Sequence, residues 1–133
     1  MRRMLSLVLA TFLCLVSGAE TRALDTPAPT PVIELVMFEA NGCVYCARWH
    51  AEVGPGWPNS SEGKFAPLRP VFRHEPLPAD LTFDGRLTFT PTFVLMRDGQ
   101  EIARLEGYPG ADFFWALMAQ MLRDHTDYAE VTQ

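Results

Sequence analysis

The stretch that most constrains the chain is Phe38 to His50, Phe-Glu-Ala-Asn-Gly-Cys-Val-Tyr-Cys-Ala-Arg-Trp-His. It closes an apolar run and opens a helical one. Val32 to Phe38 is almost continuously apolar and rich in branched residues, the pattern of a strand buried on both faces. Asn41 is read as the N-cap of the helix that follows, which puts Cys43 in its first turn. That helix runs to about Val53, where Gly54-Pro55-Gly56 ends it. At the junction, Cys43 and Cys46 are spaced C-x-x-C. Two thiols at i and i+3 in a first helical turn are close enough to form a disulfide. The unpaired N–H groups and positive dipole end of the helix favour a thiolate on the first of them.

The residues before this junction bear on compartment. Arg2 and Arg3 precede Met4 to Val16, an uncharged apolar stretch of 13 residues. A bilayer span needs about 20, so residues 1–23 are read as a cleaved signal peptide. Small residues after it offer cleavage at Ala23 or at Ala19. A lipid anchor on Cys14 is rejected, because Leu13 stands where a small residue is expected. Cleavage after Ala23 removes Arg2, Arg3, Arg22 and Glu20, taking 11 basic and 16 acidic residues to 8 and 15. An acidic chain without a basic cluster is a poor partner for nucleic acid. The expected location is the periplasm, where Cys43 and Cys46 would be the remaining cysteines. A pair three apart closes too small a loop to stabilise much, which favours a chemical role over a structural one.

Residues 24–31, with Pro27, Pro29 and Pro31, read as an extended linker. A domain is expected over 32–126 and a frayed tail over 127–133. Trp57 to Lys64 is turn-rich, with one short helical turn at Ser61 to Ala66. Leu68 to His74 reads as a second strand, which Pro70 places at an edge or a strand end. Between Pro76 and Thr90, Leu81, Phe83, Leu87 and Phe89 alternate with polar residues, and extended structure and a short crossover both fit. Thr92 to Arg97 and Glu101 to Glu106 flank Asp98-Gly99, a hairpin turn. Ala111 to about Asp124 is a helix with Phe113, Phe114, Leu117, Met118, Met121 and Leu122 on one stripe facing the core. Asp112 in its first turn and Arg123 in its last suit the helix dipole. The fold class is α/β, a central mixed sheet of about four strands flanked by helices.

A lone C-x-x-C has rivals. It could be half of a zinc site, but the chain has no second C-x-x-C. His50, four residues after Cys46, falls on the same helix face and could be a third ligand in a copper carrier built from Cys43, Cys46 and His50. The blander reading of His50 is a helix-surface residue. The second signal is Phe89-Thr90-Pro91-Thr92-Phe93. Proline is tolerated at a strand start; a cis Thr90–Pro91 bond is the sharper alternative.

Together these features resemble the thioredoxin family: an apolar strand, Cys43-x-x-Cys46 opening a helix, Thr90-Pro91-Thr92-Phe93 before a hairpin, then Gly107 and an amphipathic helix. The resemblance covers essentially residues 32–124. It implies a thioredoxin-like fold, a catalytic and disulfide-forming pair at Cys43 and Cys46, a cis Pro91 beside it, no cofactor and a protein disulfide as substrate. Thr90, Pro91 and Tyr45 would contact that substrate. Trp49 would shape the surface or pack in the core. Tyr45 and Thr90 resemble exported disulfide isomerases and reductases more than cytosolic thioredoxin. Within the family, Cys43 to His50, Thr88 to Met96 and Leu105 to Trp115 are most similar to thioredoxin-like proteins of bacterial sulfur-oxidation operons. That likeness implies reduction of a blocked cysteine on SoxY of the SoxYZ complex, with electrons from a membrane thiol transporter. A disulfide oxidant or isomerase is the rival within the class; the chain lacks the dimerisation domain of exported isomerases, and a monomer is expected. Two departures stand out. Met37 lies six residues before Cys43, where the family carries a buried acid. Glu39 shares its strand face and becomes the candidate for proton transfer. The crossover before Pro91 is also short for the usual helix.

Overall fold

In the computed structural model, residues 29–129 are described. The expected leader and the first part of the linker lie outside them. The elements are β1 (Ile33–Glu39), α1 (Val44–Glu52), a 3-10 turn (Trp57–Asn59), α2 (Ser61–Phe65), β2 (Leu68–Phe72), β3 (Thr92–Arg97), β4 (Gln100–Glu106) and α3 (Ala111–His125). The four strands form one sheet in the order β2-β1-β3-β4. β1 runs parallel to β2 and antiparallel to β3, and β4 returns antiparallel to β3. This is the α/β mixed sheet expected from the sequence. Pro70 sits in edge strand β2, where a missing ladder N–H is tolerated. Asp98 and Gly99 both take positive φ, 51° and 77°, which suits the two-residue hairpin between β3 and β4.

Strand alternation divides the core. Ile33, Leu35, Met37, Phe93 and Leu95 face the helices, where they pack with Trp49, Val53, Trp57, Phe114, Met118 and Leu122. Val36, Phe38, Val94 and Met96 face the other side with Val71 and Leu81. On α3 the buried ridge is Phe114, Met118 and Leu122, at i+4 steps, with Ala119 beside it. Phe113 and Leu117 are 68% and 39% exposed. The expected stripe is therefore too wide: these two lie one position back, about 100° round the helix.

Three further segments differ from the reading. Trp57, placed in a polar turn region, is 1% exposed; its Nε1–H donates to the Ala66 carbonyl at 3.2 Å, and its ring stacks on Trp115. Gly63 permits this approach, since a Cβ there would lie 1.8 Å from the Trp57 carbonyl oxygen. Tyr128, in the tail expected to fray, is buried against Phe65 and bonds the Ser61 hydroxyl at 3.1 Å. The crossover from β2 to β3 consists of turns and extended segments, and its own Leu81, Phe83 and Leu87 cover the second sheet face.

Candidate active site

β1 delivers the chain to the dithiol. After Glu39 it turns through Asn41 and Gly42, the latter at φ 74°, and the Cys43 N–H bonds back to the Ala40 carbonyl at 3.2 Å. The helix then begins at Val44, with Cys43 itself as the N-cap. This corrects the expectation that Asn41 caps and Cys43 lies in the first turn. Cys43 Sγ accepts the N–H of Cys46 at 3.2 Å. A sulfur thus does what a serine or aspartate oxygen usually does, satisfying an orphan donor of the helix start. The two cysteines are joined in a disulfide with a Cα–Cα distance of 5.2 Å.

The partners are unequally accessible. Cys43 is half-buried, flanked by exposed Val44 and Tyr45, whereas Cys46 is 3% exposed and part of the core with Met37 and Trp49. Trp49 is fully buried, so it packs rather than shaping the surface, and its Nε1–H has no partner among the described residues. Phe38 pairs with Thr92, so the Thr90–Pro91 loop lies at the sheet end from which β1 leaves for Cys43. The Thr90–Pro91 peptide is cis, Pro91 is buried and Thr90 half-buried. The Thr92 hydroxyl donates to the Phe89 carbonyl at 2.9 Å and pins this loop.

Glu39 keeps strand parity with Met37 and faces α1. It is 6% exposed, and its Oε2 lies 2.8 Å from Nε2 of His50. Glu39, His50, Cys43, Cys46 and Phe72 share the lining of a depression of about 630 Å³. His50 is thus neither a plain surface residue nor turned over to the dithiol as a third ligand. Among the described residues, no three His, Cys, Asp or Glu side chains are grouped to hold a metal ion. The Glu39–His50 pair went unread in the sequence, although its signals were there: strand parity for Glu39 and the i+4 step from Cys46 for His50. A second unread contact supports α1 from outside. The Tyr108 hydroxyl donates to Glu52 at 2.7 Å, and the Arg48 guanidinium lies 5.9 Å from the Tyr108 ring centre.

A strand that turns into a capping cysteine four residues beyond its end, a helix that buries its partner, and a proline loop at the same sheet end define a dithiol oxidoreductase site. Residues 31–122 match the family model of a thioredoxin-like domain, and the chain belongs to that family: it is a thiol–disulfide oxidoreductase acting on protein disulfides. It is similar to the periplasmic thioredoxin SoxS from Paracoccus pantotrophus in its reduced form, at 49% identity over 69% of this chain and 97% of that one, with a TM-score of 0.67. A thioredoxin of Malassezia sympodialis (Mala s 13) is 19% identical over 66% of this chain and 73% of its own, at a TM-score of 0.45. No curated protein matches the chain significantly.

Proposed function

We propose that this is a periplasmic, monomeric reductase that unblocks a disulfide-bonded cysteine on SoxY of the SoxYZ complex. A membrane thiol transporter would resupply its electrons. The signal-like leader and the 49% identity to a periplasmic thioredoxin support the compartment. The observation that carries the chemistry is the cap: Cys43 Sγ receives the Cys46 N–H at the positive end of α1. In the reduced protein the same place stabilises a thiolate, by a charge-assisted hydrogen bond and by the helix dipole.

Cys43 thiolate attacks the substrate disulfide and expels one substrate thiolate. The buried Cys46 then attacks Cys43 Sγ, forming the internal disulfide and releasing the second thiol. Thr90, Pro91 and exposed Tyr45 bind the partner chain. Glu39, 2.8 Å from His50 Nε2, belongs to the group of side chains that serves proton transfer at Cys46.

The test is Cys46→Ala, expressed in the periplasm of a sulfur-oxidising host. Without the resolving thiol, the partner stays attached to Cys43 as a mixed disulfide that reductant releases. Recovery of SoxY is expected. Recovery of cytochrome or copper-site precursors alone would place the protein in another pathway. Recovery of no adduct would remove the catalytic roles of the two cysteines.

A further inference from the structure

Resolution of a mixed disulfide needs Cys46 as thiolate, and at 3% exposure that sulfur has little water to take its proton. Met37, fully buried in the same core, is no acceptor. His50 lies one turn on, at the i+4 position of α1, on the same side of the helix as Cys46. Its Nε2 is tied to Glu39 at 2.8 Å, and the two line one depression with both cysteines. A buried carboxylate is stable as an anion only with a partner. The imidazole supplies it, and an imidazolium supplies it best. With Nε2–H donated to Glu39, the ring keeps Nδ1 as its basic nitrogen. The His50 side chain is 47% exposed and the Glu39 side chain 8%. The ring can therefore exchange protons with solvent while its anchor stays dry.

We propose that His50, held by Glu39, is the proton acceptor for Cys46, with Glu39 a positioning residue that stabilises the imidazolium. The inference rests on the dithiol reading of Cys43 and Cys46. In the step, the Cys46 thiol gives its proton to His50 through one water. The thiolate forms the Cys43–Cys46 bond and breaks the bond between Cys43 and substrate sulfur. Two electrons leave the protein dithiol, and the departing substrate thiolate takes up a proton from the imidazolium or from water. When the disulfide is later reduced, His50, reprotonated from solvent if its proton has gone to the substrate, returns a proton to Cys46. Arg48 is the other charged side chain lining the depression, and it turns to Glu52 at 3.2 Å. Phe72 borders the depression from β2, and Trp49 meets the imidazole edge-on at 5.2 Å.

The test uses the reduced full-length protein and a chromogenic aromatic disulfide that releases one coloured thiolate per step. The first release reports attack by Cys43, the second resolution by Cys46. In His50→Gln, the second phase should slow about 100-fold at neutral pH while the first is unchanged. The gap should close as pH rises and Cys46 ionises unaided. Glu39→Gln keeps the hydrogen bond but not the charge, so its loss should be smaller than that of His50→Gln. A His50→Gln second phase equal to wild type at neutral pH overturns the proposal. So does a slowing that is the same at every pH, which is what a purely structural role produces. Wild-type protein that ends with probe still attached, and no internal disulfide, would overturn the dithiol reading and this inference with it. Normal wild-type resolution with an unaffected His50→Gln overturns this inference alone.

Discussion

On one face of the sheet, Leu35, Met37, Phe93 and Leu95 meet helices; on the other, Val36, Phe38, Val94 and Met96 meet a loop. A helix bonds its own backbone and can lie on a sheet with apolar side chains alone. A loop brings polar groups that need partners. Here arginines supply them. Arg104 donates to the carbonyls of Asp84 and Arg86, Arg73 to that of Thr88, and Arg69 grips Asp80 through two bonds of 2.7 and 3.0 Å. Glu101 closes the set by accepting the Asp84 N–H at 2.7 Å. The loop also joins the hairpin through Thr82, which bonds Gly99 and Glu101 along the backbone. The dithiol rests on the helix-covered face, so its support is packing. The opposite face is held by side-chain hydrogen bonds.

The strongest way to break this contrast is Trp49→Ala. Trp49 is fully buried directly behind Cys46 and packs on Phe93 and Phe114 with ring centres 5.5 and 5.8 Å away. Its loss should cost about 3–5 kcal/mol, a large share of the ~5–15 kcal/mol that holds a domain folded. Urea unfolding should show it as a global shift in midpoint. A loss under ~1 kcal/mol would mean that the helix-covered face does not carry the fold.

Arg104→Met probes the other face. It frees two loop carbonyls and leaves Glu101, whose side chain is 6% exposed, without its guanidinium. A cost of roughly 2 kcal/mol is expected, between that of a surface pair and that of a buried one. Hydrogen exchange should place it: faster exchange in residues 80–90, with α1 and β1 little changed. Equal loss of protection in α1 would show that the two faces are one cooperative unit.

The helix-covered face was the legible one, because its signals are local. β1, the C-x-x-C junction, the Asp98-Gly99 hairpin and α3 each follow from periodicity or turn chemistry within a few residues. The cap was misplaced because a cysteine is outside the usual capping set, so Asn41 was preferred. The crossover resisted reading for a different reason. Leu81 is buried and Phe83 and Leu87 partly so, under a loop that Arg69, Arg73 and Arg104 hold by hydrogen bonds, and no local pattern announces such distant partners. Glu39 was placed on the correct strand face by parity, but its bond to His50 spans eleven residues and depends on how α1 lies on β1. Tyr128 was lost for the same reason, its partners Phe65 and Ser61 being far away in sequence.

The smallest effect sharpens how the helix-covered face ends at its rim. Tyr108 is 6% exposed, and burial first, then the Glu52 carboxylate, pushes its phenol up to about 12. Glu52 is held below the ordinary carboxyl range, chiefly by the Tyr108 O–H, with Arg48 helping and partial burial opposing. The signs differ at the two ends. The raised phenol stabilises the fold fully below pH ~10 and loses that contribution as pH climbs through the folded value. The depressed carboxyl stabilises it above the ordinary range and loses that as pH falls through its folded value. Between those limits the contact is intact. Tyr108 should therefore ionise late in an ultraviolet titration, and Tyr108→Phe should remove that late step. In Glu52→Gln that tyrosine should ionise earlier, yet still above the ~10 of a free phenol, because burial, the larger cause, remains. An unshifted late tyrosine would remove Glu52 from the account, and a return to the free value would remove burial. Either result would redraw the rim, while the unfolding midpoint at neutral pH should move less than in Trp49→Ala or Arg104→Met.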